Sequence, residues 1–175
     1  MTIKAKLLLF ILTSKVQSSE GLYSRLEKSF SKIDFKGSRL AFEVTDYYAD
    51  EFGEGLHRQI ISFQTLVDPS ELPAYKKVCK QVEDEFLRDN QRVYNLDIGY
   101  MDTDKVVLGS FKWGGTKLYL GQGVYGDMLL TFSKRAFWPT EWAFEDFKDV
   151  RYHKDLKVVR EKLKASLRRE RNLNL

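Results

Sequence analysis

Two stretches of this 175-residue chain hold side chains whose types and spacing could do chemistry. The first, "NLDIGYMDTD", sets Asn95, Asp97, Asp102 and Asp104 close together. Carboxylates gathered in this way are the oxygen donors of which Mg²⁺ takes one or two. Asn and Asp also open turns without any ligand, and the D-x-D-x-D-G spacing of a calcium loop is missing. The second stretch, "LGQGVYGDM", spaces Gly121, Gly123 and Gly126 as G-x-G-x-x-G. A dinucleotide loop of that form needs a strand before it and a helix after it, whose N-terminus holds the pyrophosphate. Here "DMLLTFSK" follows, which is too β-rich for that helix, and no G-K-[ST] is present for a phosphate-binding P-loop. "YHKDLK" imitates a kinase catalytic loop, but His153 lies only about thirty residues past the glycines, with no lysine motif between and no D-F-G after. The glycines therefore predict a tight hairpin connection.

Other groups are weaker in specificity. "DYYADEFGEG" places Asp46, Asp50, Glu51 and Glu54 beside Tyr47 and Tyr48, as a carboxylate–aromatic site or as a solvated loop. Arg58 and Lys112 are cations suited to hold an anion, and Asp97 is the one carboxylate that suggests itself as an acid or base. No nucleophile–base pair is visible. His57 and His153 stand far apart and Cys79 is the only cysteine, so neither a zinc site nor an internal disulfide is expected. The single thiol suits a cytoplasmic setting.

The elements that must position these residues follow from periodicity. Lys4–Leu12 is a run that is apolar but for its two lysines, far short of the ~20 residues of a membrane span, and reads as a strand covered on both faces rather than a signal peptide. Ser18 and Ser19 can cap a helix striped by Leu22, Leu26 and Phe30. Arg39–Val44 and Gln59–Leu66 read as strands. Asp68, Pro69 and Glu71 form a capping box, and Pro73 restarts the helix one turn later. Its stripe is Tyr75, Val78, Cys79, Val82 and Phe86, which makes Cys79 a packed thiol. Short strands are expected at Val93–Leu96, Lys105–Lys112, Lys117–Leu120 and Met128–Ser133. Thirteen of the 24 aromatics fall between Tyr94 and Tyr152.

A closing helix from about His153 to Arg169 is lined by Leu156, Val159, Leu163 and Leu167, with Lys157, Arg160, Lys164 and Arg168 lying away from that stripe. From Arg151 onward the chain carries nine Lys or Arg and three acids, whereas residues 1–150 are slightly acidic. A basic helix face can meet nucleic acid, or it can simply be solvated. The order strand–helix–strand–strand–helix–strand predicts an α+β fold: a ferredoxin-like (split βαβ) antiparallel sheet with an added β hairpin and a C-terminal basic helix. Residues 1–150 form the expected single domain, and 151–175 a helix packed on it or extending from it.

In order along the chain, "DYYADEFGEGLHRQIISFQTLVDPSELPAYKKV", "VYNLDIGYMDTDKVVLGSFK", "LYLGQGVYGDMLLTF" and "FWPTEWAFEDF" resemble an uncharacterised bacterial family, domain of unknown function 4416. The matching positions include Tyr47, Tyr48, Arg58, Asn95, Asp97, Gly99, Tyr100, Lys112, Gly123, Trp142 and Asp146. Ile98 stands where that pattern has proline, and Asp127 where it has glutamate. Some relatives carry a loose nucleotide-binding label, and the resemblance implies no particular reaction.

The sequence thus predicts a cytoplasmic, non-catalytic binder of an anionic ligand, nucleotide or RNA. Tyr47, Tyr48, Arg58, Asn95, Asp97, Tyr100 and Lys112 are its candidate ligand contacts, and Lys157, Arg160, Lys164 and Arg168 its nucleic-acid contacts. No metal ligands, membrane partner or cofactor are expected, Mg²⁺ being the one ion the aspartates leave open. The alternatives are a small enzyme acting on a phosphorylated substrate and a protein–protein interaction module using the terminal helix. The oligomeric state is left open.

Overall fold

A computed structural model describes residues 4–14, 18–43, 52 and 55–173. Among them, nine strands form one antiparallel sheet: β1 (Ala5–Ser14), β2 (Ile33–Lys36), β3 (Leu40–Ala41), β4 (Leu56–Val67), β5 (Asn95–Met101), β6 (Lys105–Ser110), β7 (Leu118–Gly121), β8 (Val124–Ser133) and β9 (Ala136–Pro139). Four helices accompany it: α1 (Glu20–Ser29), α2 (Leu72–Glu85), α3 (Glu145–Lys148) and α4 (His153–Leu173). The strand order is β2–β4–β1–β5–β6–β8–β7, with β3 added to β4 and β9 to β8. The sheet is larger than the sequence predicts.

The apolar run of β1 explains why the sheet has helices on both faces. Every residue from Ala5 to Thr13 is buried, and alternate side chains point to opposite sides. Leu7, Leu9 and Ile11 pack with Leu22 and Leu26 of α1 and Cys79 and Val82 of α2. Leu8 and Phe10 pack with Phe147, Tyr152 and the α4 residues Leu156, Val159 and Leu163. Three buried α4 side chains contribute roughly 6 kcal/mol, whereas an exposed pair such as Lys164–Glu161 contributes under about 1 kcal/mol. The apolar stripe therefore fixes how α4 docks. Lys6 interrupts the run without harm, because its Nζ donates to Asp34 Oδ2 at 2.6 Å and to the Phe63 carbonyl at 2.7 Å.

Ser19 stands at the N-cap of α1 as expected, but its side chain makes no capping bond and instead accepts from Arg39. Asp68 accepts from the Ser70 N–H at 2.9 Å, a 3₁₀ turn covers Pro69–Glu71, and α2 begins at Leu72. The glycine stretch is a hairpin: Gln122 and Gly123 join β7 to β8, both with positive φ, as the twist-matched two-residue turn demands.

Some strands differ from expectation. Within the described part of Arg39–Val44 only Leu40–Ala41 forms a strand, and residue 44 lies outside the described set. On the side away from β1, β4 pairs mainly with Ile33–Lys36, a four-residue strand too short to leave a clear period-two signal. The expected Val93–Leu96 strand lies at Asn95–Met101, and Met128–Ser133 extends back to Val124. The strand Ala136–Pro139 was not expected from the sequence.

One close approach is decisive for the centre of the sheet. A Cβ on Gly99 would sit on the Val107 carbonyl oxygen and 2.6 Å from Leu108 Cδ2, whereas one on Gly115 would meet nothing within 4 Å. Gly99→Ala should therefore cost about 1–3 kcal/mol by overpacking, lowering the thermal midpoint, with Gly115→Ala close to wild type in the same melts.

Candidate functional site

On the sheet face that carries Phe10, β4 presents Arg58 and β5 presents Asn95 and Asp97; their register partners on β1 are Leu12 for Arg58 and Asn95, and Phe10 for Asp97. The short helix α3 sets Asp146 over them. Arg58 Nη1 donates to Asp146 Oδ2, which also accepts from the Tyr152 hydroxyl at 2.8 Å. Arg58 Nη2 lies 3.8 Å from Asp97 Oδ2, and the same oxygen accepts from Asn95 Nδ2 at 2.8 Å. The guanidinium carbon sits 4.5 Å from the centre of the Phe42 ring and 5.7 Å from that of Phe147.

A second set arrives from the other side of the sheet. β6 pairs with β5 only at Gly99–Met101, so nearer its start β5 has no β6 partner. There the Leu96 N–H donates to Glu83 Oε1 at 2.6 Å, and Lys76 Nζ donates to the Leu96 carbonyl at 3.0 Å. Both side chains come from α2. Lys76 Nζ also lies 3.5 Å from Asp97 Oδ1, while Arg92 donates to Asn95 Oδ1 at 3.1 Å and stands 3.7 Å from Glu83 Oε2. Arg92 continues into a cavity of about 160 Å³ that Ser14, Phe52, Arg88 and Gln91 also line.

The cluster is charge-balanced: Arg58, Lys76 and Arg92 against Asp97, Asp146 and Glu83. Burial raises the Glu83 carboxyl above its ordinary range, against the lowering effect of the Leu96 N–H and the nearby Lys76 and Arg92. Burial likewise raises the Tyr152 hydroxyl, which stays a neutral donor. Asp97 is about a quarter exposed, but its oxygens already accept from Lys76 and Asn95, with the Arg58 guanidinium 3.8 Å away. An anion gains no net attraction from such a set.

The structure thus brings together Arg58, Asn95 and Asp97 of the expected ligand contacts. Tyr100 packs on the opposite face with Leu96 and Ile98, and burial raises its hydroxyl. Lys112 is exposed in the β6–β7 connection, its N–H on Ser110 Oγ at 3.0 Å. Tyr47 and Tyr48 lie outside the described residues. Sequence reasoning missed Lys76, Glu83 and Asp146 as partners. Lys76 and Glu83 stand seven residues apart, on one helix face, which was the available signal. Asp102 serves the β5–β6 turn, accepting from the Asp104 and Lys105 N–H groups.

The basic helix divides its cations. Arg160 stacks 3.7 Å from the centre of the Phe132 ring and donates to the Thr103 carbonyl, and Lys164 pairs with Glu161. Lys157 and Arg168 are exposed. Arg168, with Lys162, Arg169, Ala165, Gln64 and Asp34, lines a cleft of about 520 Å³ between α4 and the β2–β4 edge. Its one carboxylate, Asp34, is engaged by Lys6 and by Ser62 Oγ, so the cleft is left positive. Burial lowers the Lys6 pKa, and the charges of Lys162 and Arg169 lower it further, against Asp34. Lys162 and Arg169 were not read from the sequence, although their i, i+7 spacing puts them on one side of α4.

Among the described residues no helix is long and apolar enough to cross a membrane. The fold and site define a mixed α/β protein, helices on both faces of a nine-strand antiparallel sheet, with a buried ion-pair cluster at one end. The chain belongs to the family described as Domain of unknown function (DUF4416), whose model matches residues 3–163. Searches of curated proteins and of solved structures found no match.

Two outcomes test the cluster. Arg58→Met should destabilise the fold by about 3–5 kcal/mol, since it strips Asp146 of its cation in a buried setting; denaturant melts measure it. Because the Glu83 pKa is raised in the folded state, the folded chain holds that proton more tightly than the unfolded one. Wild-type stability is then lost as pH climbs from Glu83's unfolded value through the folded one. Glu83→Gln keeps the acceptor for Leu96 without this loss, so its stability relative to wild type should rise with pH and then level off.

Proposed function

We propose that the protein is a non-catalytic, cytoplasmic binder of a phosphate-bearing anion, a nucleotide or RNA, held in the cleft between α4 and the β2–β4 edge. The observation that carries this is the concentration of Lys162, Arg168 and Arg169 around one cavity whose only carboxylate is already neutralised. Cations in that arrangement attract phosphate by local charge and by hydrogen bonds. Arg58 is less suited to the task, since Asp146 and Asp97 already balance it. The fold that carries the cleft is read as a split βαβ unit extended by β6–β9. Strand order β2–β4–β1–β5, with α1 and α2 packed on one face, supports that finer assignment.

The test is fluorescence anisotropy with a labelled single-stranded RNA, alongside thermal shifts with ATP. Binding should weaken with salt at a log–log slope near −2, about three phosphate contacts on a single strand. Charge reversal of Lys162, Arg168 and Arg169 together should abolish it. A shift with ATP but no RNA binding assigns the nucleotide. No binding of either, or binding indifferent to the triple reversal, overturns the proposal.

A further inference from the structure

We infer that the cleft between α4 and the β2–β4 edge recognises a run of about three phosphates and is indifferent to the bases they carry. The inference rests on the anion-binding reading above and narrows its ligand class. Lys162 and Arg169 stand seven residues apart on α4, two turns and about 10.5 Å along its axis. Phosphates of one stacked strand follow each other every ~3.4 Å, so about three of them span that length. Ala165, between the two cations in the lining, has a side chain too small to hold such a chain off the helix.

The lining sets what the cleft can read. Besides Lys162, Arg168, Arg169 and Ala165 it consists of Gln64 and Asp34. Asp34 is engaged: Oδ1 accepts from Ser62 Oγ and Oδ2 from Lys6 Nζ, both at 2.6 Å. The charges of Lys162 and Arg169 both reach the buried Lys6 ammonium, so they converge on one floor rather than fanning apart. Gln64 is then the one neutral polar side chain at hand. Bases are told apart by donors and acceptors matched to each edge, and a lone amide does not supply them.

Holding a base by its face needs a flat ring to stack on, which raises affinity roughly 5- to 150-fold per base. Among the described residues that line the cleft none is aromatic. Two rings that meet α4 are committed elsewhere. Phe35, next to Asp34, packs against the apolar core under the helix, and Phe132 carries the Arg160 guanidinium on its face. What the cleft offers is charge, and contacts of that kind hold the phosphates without reading the sequence attached to them.

Competition against a labelled single-stranded RNA tests this on the full chain. Unlabelled oligo(A), oligo(U), oligo(C) and an abasic ribose-phosphate strand, all of one length, should displace it at concentrations within about threefold of one another. In thermal shifts ATP, CTP and inorganic tripolyphosphate should act alike at equal concentration. Displacement by the strands alone identifies a polymer backbone as the source of the phosphates, and displacement by tripolyphosphate as well identifies the phosphate run itself. A preference of about tenfold for one base, or an abasic strand that fails to compete, overturns the inference and leaves the cleft reading standing. So does a thermal shift that ATP gives and tripolyphosphate does not. RNA bound equally well after charge reversal of Lys162, Arg168 and Arg169, or no response to RNA and ATP alike, removes the cleft reading and this inference with it.

Discussion

Where β5 runs without β6 beside it, the Leu96 peptide groups lose the ladder partner a neighbouring strand would provide. A buried N–H or C=O left bare costs about 1–3 kcal/mol. Helix α2 supplies both missing partners through Glu83 and Lys76, two turns apart on one face. Satisfying a single residue's backbone thus fixes how α2 lies along β5. It also delivers an ammonium group from one side of the sheet to Asp97 on the other. The rest of the polar cluster is built outward from that arrangement.

Its second consequence concerns the chain beyond β9. Arg58 belongs to β4 and Asp146 to α3, so their buried pair ties the segment leading into α4 to the middle of the sheet. Such pairs add little net stability compared with well-packed apolar side chains, yet breaking one by removing a partner is costly. The cluster therefore acts as a register device. Arg58, Asn95, Asp97 and Asp146 are also positions that carry the family resemblance. Arg168 and Arg169, by contrast, lie beyond the residues the family model matches. The internal network belongs to the family's span, and two cations of the cleft belong to this chain's tail.

How much of this the sequence disclosed depends on the range of the interaction. Short-range signals were legible. The period of Leu156, Val159 and Leu163 marked the buried face of α4, Asp68 and Pro69 marked the start of the α2 region, and Gly123 marked a hairpin. Arg58, Asn95 and Asp97 were legible as residue types in a resemblance, and they do converge. Lys76 and Glu83 were hidden because their partners are backbone atoms of a strand whose neighbour diverges, which no local pattern records. The internal contacts of Arg160 were hidden for a related reason. Its helical position points away from the leucines, but Phe132, a strand residue distant in sequence, gives its guanidinium a face to rest on.

The two surfaces left without an internal purpose lie at opposite ends of the sheet. The basic cleft borders β2 and β4, and the exposed Leu118 and Tyr119 lie at β7. Six strand spacings separate β2 from β7, about 29 Å across the sheet. Substitutions at one surface should therefore act independently of substitutions at the other, because sites this far apart share no contacts.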